Sequence, residues 1–276
     1  MTELVHETGV HFATVDGHRL FLDLFRTARQ PGERAPAVIY VHGGGWHGGD
    51  RADVPGEFMA EAGFITISID YRLTGVASFP AQIHDVKAAI RWVRANADDL
   101  GIDPDRIGLW GHSAGGHLAL LAATTGDDPA LEGKVGVTGV SSAVCAVVAG
   151  CTRTEMLIDW YAADGKPFPE PVDASLSALF GGPRREKEDV ARLASPFWHL
   201  RPGVPPVLLQ HGTEDETVPI NQARAFVARS RAMGNVADLM ELPGVGHDAN
   251  TPLFPGNPDP YGAKERTIAF FDAHLR

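Results

Sequence analysis

The sequence predicts an α/β fold with a mostly parallel central sheet flanked by helices. Apolar runs of strand length alternate with segments of helical periodicity, and several of those runs consist almost entirely of Val, Ile and Leu. Continuous apolar runs are typical of strands that helices cover on both faces. A chain of 276 residues, 44% of them hydrophobic, can bury a sizeable core, and we expect residues 1–276 to form a single domain.

Seven segments have the length and composition of strands, and the intervals between them leave room for crossover helices. The predicted strands are residues 19–26, 37–42, 64–70, 106–111, 135–140, 206–211 and 237–242. Three other segments have helical spacing. Their apolar positions are Ile83, Val86, Ile90 and Val93 behind Pro80, then Ala223, Phe226 and Val227 before Gly234, and finally those of the amphipathic residues 264–276.

Two stretches interrupt this alternation. Residues 142–203 contain no clear strand, and we interpret them as a small cap-like insertion over the sheet edge rather than a second domain. Residues 248–262 are rich in Pro, Gly and Asn, and long connections of this kind often carry function. Because both leave the sheet on the side of the candidate catalytic loops, we expect them to determine substrate specificity.

The charge balance argues against several classes of partner. Lys and Arg number 24 against 35 Asp and Glu, a net charge of −11, so we expect no attraction to nucleic acid or to an anionic membrane. No basic and apolar leader begins the chain and no uncharged run could cross a bilayer, so we expect a cytoplasmic protein. Cys145 and Cys151 are too few for a disulfide scaffold, and we expect free thiols, with a single bridge between the two as the alternative.

The first motif that carries chemistry is Gly111-His112-Ser113-Ala114-Gly115, which fits G-x-S-x-G between a strand and a helix. Such a turn forces the serine into a strained backbone conformation, so the residues two before and two after it must be small. The turn also lifts the hydroxyl clear of the sheet, at the positive end of the following helix. A glycine-rich turn that only packs closely or binds a phosphate is the alternative.

A second glycine-rich loop, His42-Gly43-Gly44-Gly45, follows the strand at 37–42. Consecutive glycines leave backbone N–H groups accessible to a substrate oxygen, and the pattern fits the H-G-G-G type of oxyanion loop. Taken alone, this loop could also be a flexible turn. A Walker-type phosphate loop is excluded because no G-K-[ST] follows.

A serine nucleophile needs a base, and the base needs a carboxylate that orients it. On doubly wound folds the acid and then the histidine follow the serine, at the carboxyl ends of later strands. The last but one predicted strand is followed by Glu214, Asp215 and Glu216, and we choose Asp215 because the turn should leave both glutamates to solvent. The last predicted strand is followed by His247 in a Gly-bounded loop, and we choose it as the base.

With these motifs the sequence resembles the α/β-hydrolase superfamily, and within it the bacterial esterases related to hormone-sensitive lipase and the BD-FAE-type feruloyl and acetyl esterases. The resemblance covers almost the whole chain. It rests on residues 42–46, 70–73, 79–97, 101–119, 194–200, 211–219 and 244–248. It implies the α/β-hydrolase fold, with Ser113 as nucleophile and Asp215 and His247 as its partners. It also implies an oxyanion hole made by three backbone N–H groups, those of Gly44, Gly45 and Ala114.

The sequence departs from the hormone-sensitive branch at two motifs. His112 stands where that branch has Asp, and GTEDE replaces its D-P-L-x-D acid motif. That branch also carries an N-terminal helical cap, whereas this chain begins its first strand too early for one. Any cap must therefore come from residues 142–203.

We therefore expect a serine-dependent carboxylic-ester hydrolase that forms a covalent acyl-enzyme on small or medium esters. No cofactor and no metal are expected, since the histidine pairs match no H-E-x-x-H pattern. An amidase, such as an arylformamidase or an acyl-peptide hydrolase, is one alternative, and a ligand-binding hydrolase fold without catalysis is another. The expected partner is a small-molecule ester, and the oligomeric state is open, with a homodimer as one option.

The candidate substrate contacts are largely aromatic side chains near the catalytic loops. They are Trp46, His112, Trp160, Phe254 and Tyr261, with Tyr161 beside them. For any one ring, packing of the insertion onto the core is the alternative. We expect short acyl groups to be favoured, because Pro- and Gly-rich loops are more apt to crowd a site than to open a long groove.

Overall fold

The computed structural model of the protein describes residues 3–28, 30, 32–53, 56–126, 128–158, 169–247 and 258–276. Its strands are β1 (Leu4–Val15), β2 (His18–Thr27), β3 (Ala35–Val41), β4 (Ile65–Ile69), β5 (Ile102–His112), β6 (Ala146–Gly150), β7 (Val207–Gly212) and β8 (Ala237–Leu242). Its α-helices are α1 (Gly56–Glu61), α2 (Ala81–Ala95), α3 (Ala97–Leu100), α4 (Ala114–Thr125), α5 (Pro129–Glu132), α6 (Glu170–Phe180), α7 (Glu188–Leu193), α8 (Asn221–Ala232) and α9 (Ala263–Leu275). Short 3-10 helices cover Arg51–Asp53, Arg184–Glu186 and Pro196–His199.

The strands of the described residues form one eight-stranded sheet in the order β1-β2-β4-β3-β5-β6-β7-β8. The pairs β1–β2 and β2–β4 are antiparallel, whereas every pair from β4–β3 to β7–β8 is parallel. This topology confirms the predicted α/β class. Because parallel strands point the same way, the loops that follow β3, β5, β6, β7 and β8 meet at one edge of the sheet.

Both faces of the sheet are buried, as the continuous apolar runs predicted. In β3, Ile39 and Val41 face the core on which α2 and α4 pack, and Leu118 of α4 belongs to that core. Val38 of the same strand faces the opposite core, which includes Phe271 of α9. The period-two alternation of a strand thus places successive β3 side chains in two separate hydrophobic clusters.

One predicted strand is wrong. Residues 135–140 form bends, and the strand in this part of the sheet is β6, inside the stretch 142–203 that we expected to hold none. Gly136 and Gly139 have φ angles of +62° and +79°, which a strand does not accommodate. β6 instead consists of small residues and lies between β5 and β7. The part of residues 142–203 that lies outside the sheet therefore begins after Gly150.

Strand β1 is absent from the sequence prediction, while the other six predicted strands are confirmed. β1 lies at the sheet edge and pairs only with β2, and most of its side chains are exposed or half-buried. An edge strand that touches the core at few positions lacks the apolar run by which buried strands are detected.

The strand at the opposite edge of the sheet, β8, carries charged side chains that form ion pairs. Glu241 of β8 pairs with Arg224 of α8 at 2.7 Å, and Asp238 of β8 lies 3.0 Å from both Arg231 and Arg266. All of these side chains are well exposed. Exposed pairs of this kind contribute little stability, but charged groups along an edge strand discourage pairing with a foreign strand.

Both cysteines of the chain, Cys145 and Cys151, are described, and neither forms a disulfide bond, as predicted. None of the helices in the described part of the chain is long and apolar enough to cross a membrane. Within the same residues, no group of three or more His, Cys, Asp or Glu side chains is arranged to hold a metal ion.

A buried ion pair fixes the segment that follows β4. Arg72 donates from Nε and Nη2 to the two carboxylate oxygens of Asp85 on α2, at 2.8 and 2.9 Å, and its backbone N–H donates to the same carboxylate. The neighbouring Tyr71 donates its hydroxyl to the carbonyl of His42, at 3.1 Å. The ion pair between Arg72 and Asp85 therefore fixes the segment that contacts the glycine-rich loop.

Replacing Asp85 with Asn should destabilise the protein strongly. The Arg72 side chain is 9% exposed and Asp85 is fully buried, and removing one partner of a buried pair costs about 3–5 kcal/mol. The matched control is Glu241→Gln at the exposed Arg224 pair, which should cost less than about 1 kcal/mol. Urea denaturation measures both, and equal losses would contradict the assignment.

Candidate active site

Ser113 lies at the sharp turn between β5 and α4, with φ of +53° and ψ of −119°. Its backbone N–H donates to Gly150 O at 2.8 Å, and its carbonyl accepts from the Thr152 hydroxyl at 2.9 Å. A left-handed conformation at a non-glycine residue is strained and persists only where its surroundings hold it. The end of β6 and the residues just after it supply that support here.

Close packing around this turn explains its glycines. A Cβ built on Gly115 would lie 1.9 Å from Val41 O, and one on Gly111 would lie 2.5 Å from the backbone of Gly115. Neither position could hold a side chain without displacing backbone. The prediction that the residues two before and two after Ser113 must be small is therefore confirmed.

The structure brings the three predicted catalytic side chains into one chain of hydrogen bonds. Ser113 Oγ lies 2.9 Å from His247 Nε2, and His247 Nδ1 lies 2.7 Å from Asp215 Oδ2. A carboxylate only accepts, so Nδ1 carries the proton and Nε2 is left to accept from the serine hydroxyl. The serine, histidine and aspartate thus stand in the order that nucleophilic catalysis needs.

Asp215 is held in its ionised form by its surroundings. Oδ1 accepts from the backbone N–H groups of Thr217 and Val218 at 2.9 and 2.7 Å. Nε2 of His211 lies 3.3 Å from Oδ2, while it also donates to Val218 O at 2.8 Å. Burial by itself raises the pKa of Asp215, but the hydrogen bonds from His211 and His247 outweigh it and hold that pKa well below its usual range.

The loops that carry Asp215 and His247 are joined through their backbones. Thr213 N donates to Leu242 O and Glu214 N donates to Val245 O, both at 3.0 Å. The side chains on either side of the acid, Glu214 and Glu216, are exposed, as the sequence predicted. The separation of Asp215 and His247 is therefore set by main-chain contacts.

The glycine-rich loop lies beside the serine turn. A Cβ built on Gly43 would lie 3.1 Å from His112 O, so the two loops are nearly in contact. Gly44 and Gly45 follow with φ angles of +107° and +58°, a conformation that a residue with a side chain rarely adopts. Gly44 and Gly45, together with Ala114, line the same cavity as Ser113 and His247.

This cavity has a volume of about 680 Å³. Of the predicted substrate contacts, Trp46 and His112 line it. Tyr261 is exposed, with its hydroxyl donating to Pro243 O, and it does not line the cavity. The remaining candidates lie outside the described residues; they are Trp160, Tyr161 and Phe254.

Sequence reasoning missed several side chains of the site. His211 touches the acid, Thr152 holds the serine carbonyl, and Arg153 lines the cavity while donating to Thr217 O at 3.0 Å. His211 was detectable in principle, because it precedes the acid at the carboxyl end of a correctly predicted strand. Thr152 and Arg153 were not, because their strand was assigned to the wrong residues.

Two buried histidines adjoin the site. His112 is 3% exposed, and burial and then the nearby His247 lower its pKa to about 3. His117 is fully buried, and burial lowers its pKa to about 4. Both are therefore neutral in the folded protein at ordinary pH, whereas an unfolded histidine binds a proton near pH 6.5.

Acid should destabilise the protein well above the range in which carboxylates titrate. Below about pH 6.5 the two histidines bind protons in the unfolded chain, whereas His112 and His117 stay unprotonated in the folded protein. The free energy of unfolding therefore decreases as the pH is lowered, by up to about 1.4 kcal/mol per pH unit for each histidine. Urea denaturation between about pH 7 and pH 4.5 measures the slope. His112→Gln should make this slope shallower, and a slope equal to that of wild type would contradict this origin.

The chain is similar in sequence to known esterases. The BD-FAE family model matches residues 22–229. Esterase LipC of Mycobacterium tuberculosis is 36% identical over 255 residues, which cover 88% of this chain and 61% of LipC. Esterase LipQ of the same organism is 36% identical over 84% of this chain and 54% of LipQ. The chain thus spans between half and two thirds of the length of these relatives.

Solved structures resemble the chain over nearly its whole length. A truncated carbohydrate esterase from gut microbiota superposes with a TM-score of 0.81 at 29% identity, covering 98% of this chain and 95% of that one. The butyrate-bound esterase Est2 of Thermogutta terrifontis superposes with a TM-score of 0.76 at 29% identity, over 97% and 92% of the two chains. The family match, the sheet order and these superpositions agree: the chain belongs to the BD-FAE family and has the α/β-hydrolase fold.

Proposed function

We propose that this protein is a carboxylic-ester hydrolase in which Ser113 is the nucleophile, His247 the general base and Asp215 the group that orients the base. The observation that carries the proposal is the unbroken hydrogen-bond chain from the Ser113 hydroxyl to the Asp215 carboxylate, at the wall of a cavity large enough for a small ester. The esterase names of its relatives support the same reaction class.

In the first half of the reaction, His247 Nε2 takes the proton of the Ser113 hydroxyl as Oγ attacks the ester carbonyl. The backbone N–H groups of Gly44, Gly45 and Ala114 stabilise the oxyanion that forms, and the amino end of α4 adds its positive potential. The tetrahedral intermediate collapses when the protonated His247 gives its proton to the leaving alcohol. The acyl group is then bound to Oγ.

In the second half, His247 takes a proton from a water molecule, which attacks the acyl carbonyl. The same N–H groups hold the second oxyanion, and its collapse releases the carboxylic acid as the proton returns to Ser113. Asp215 stabilises the imidazolium in both halves. It remains ionised, which its depressed pKa supports.

The substrates that we propose are esters with small or medium acyl groups. Apolar side chains stand beside the serine in the cavity, among them Trp46, Val172 and Val218. Relatives with bound butyrate and propionate support an acyl group of that size. The stretch 142–203, corrected to begin after Gly150, supplies Val172 and Ser175 of α6 to this wall, which supports a cap-like role for it.

Four interpretations of the sequence remain predictions. They concern the single domain, the specificity role of residues 248–262, the cytoplasmic location and the homodimer.

The amidase alternative uses the same triad, and matched ester and amide substrates distinguish it from the esterase.

Ser113→Ala should abolish ester hydrolysis, because loss of the nucleophile from such a triad lowers kcat by about a million-fold. The matched control is Ser175→Ala, which removes another hydroxyl from the same cavity and should keep kcat within about threefold. Hydrolysis of p-nitrophenyl butyrate measures both variants, and circular dichroism checks that they are folded.

A fluorophosphonate probe gives an independent readout, since a related esterase is phosphonylated by sarin. It should label wild type and Ser175→Ala once per chain, on the peptide that contains Ser113. Hydrolysis that persists in Ser113→Ala, or a label on another peptide, would overturn the assignment.

Val172→Trp should shift selectivity towards short acyl groups, because Val172 lines the cavity and a larger ring there shortens the space for the acyl chain. The measurement is the ratio of kcat/KM for p-nitrophenyl octanoate to that for the acetate. It should fall by about 10-fold, whereas the exposed Val236→Trp should leave it unchanged. An unchanged ratio in Val172→Trp would place the acyl chain elsewhere.

A further inference from the structure

Trp46, directly after the glycine-rich loop, has an unusual backbone conformation. It directly follows Gly44 and Gly45, and its φ is +62°, so three consecutive residues are left-handed. Two of them are glycines and accept this conformation without steric cost, but a bulky aromatic residue does not. Such a conformation is unfavourable for a residue with a bulky side chain and persists only where other contacts impose it.

The contact that holds the Trp46 side chain is a hydrogen bond to His117 on α4. Trp46 Nε1 donates to His117 Nδ1 at 3.1 Å, and the two rings meet edge to face with their centroids 5.4 Å apart. Trp46 is 4% exposed and His117 is fully buried, so water does not compete for this bond. The main chain is held too, since Trp46 O accepts from Thr74 N at 2.9 Å.

His117 is itself fixed on both sides. Its Nε2 lies 2.6 Å from Ala194 O, and a carbonyl only accepts, so Nε2 carries the proton. Nδ1 must then be the unprotonated acceptor, which is what the indole N–H of Trp46 requires. Both ring nitrogens are engaged, so His117 has neither a free donor nor a free acceptor with which to act as a base.

The position of His117 links the two halves of the site. It lies one helical turn after Ser113, and its backbone N–H donates to Ser113 O at 3.0 Å. One residue therefore contacts the nucleophile through its main chain and the neighbour of Gly45 through its side chain. We propose that His117 is a positioning residue, which through Trp46 fixes the oxyanion loop relative to Ser113; this inference rests on the proposed esterase function.

Two replacements of His117 separate its two hydrogen bonds. An Asn amide reaches the position of Nδ1 and can still accept from Trp46, whereas a Gln amide reaches the position of Nε2 and can still donate to Ala194 O. His117→Gln should lower kcat by about 10- to 100-fold and should leave KM within about threefold. The expected loss is smaller than the about 10²- to 10³-fold loss of kcat that follows removal of an oxyanion donor itself. His117→Asn should restore most of kcat.

Trp46→Phe tests the same bond from the other side and covers the case in which a His117 variant fails to fold. It should lower kcat as His117→Gln does, and the double variant should lose little more, because both changes break one interaction. The matched control is Trp198→Phe, since Trp198 Nε1 donates to Glu155 Oε1 at 3.0 Å away from the cavity. It should lower the melting temperature without changing kcat.

The inference is overturned if His117→Gln and Trp46→Phe keep the wild-type kcat, or if His117→Asn loses as much kcat as His117→Gln. In the first case the bond serves stability alone, and in the second the Ala194 contact carries the effect. Failure of the proposed function looks different: wild type and Ser113→Ala would then hydrolyse p-nitrophenyl butyrate equally. That result would remove the esterase assignment and this inference together.

Discussion

The close approach of β3 to the start of α4 is the constraint on which the site depends. At Gly115 the helix passes so near the carbonyl of Val41 that no side chain fits between them. This contact forces the turn at Ser113 and brings the loop that leaves β3 alongside it. The proposed nucleophile and the groups proposed to stabilise its oxyanion are therefore neighbours because two backbones touch, and the side chains only refine that geometry.

The other two proposed catalytic groups are also held close to the ends of strands. Asp215 follows β7, His247 follows β8, and main-chain hydrogen bonds join their loops. A carboxylate that accepts two backbone N–H groups and contacts two imidazoles has little freedom to rotate. The site therefore combines an ionised Asp215 beside His247 with two uncharged buried imidazoles, His112 next to His247 and His117 next to Trp46.

The sequence predicts those parts of this arrangement that are local. The bend at Ser113 and the loop at His42 each lie within a few residues, so their patterns are visible without a fold. Strand β6 was misplaced because residues 135–140 contain three valines, which resemble a strand, but also two glycines that adopt positive φ. The hydrogen bond between Trp46 and His117 joins segments that are distant in the sequence, and neither residue type by itself indicates which residue it will contact. Long-range polar contacts of this kind leave no periodic signal.

The buried pair of Arg72 and Asp85 also restricts how this sequence can evolve. Changing either residue alone leaves an uncompensated charge in the interior, while changing both to apolar residues of similar volume can be neutral. The route between those two states passes through a much less stable protein. Relatives in which one position has diverged should therefore have diverged at the other, and the segment that supports the glycine-rich loop should change in single, coupled steps.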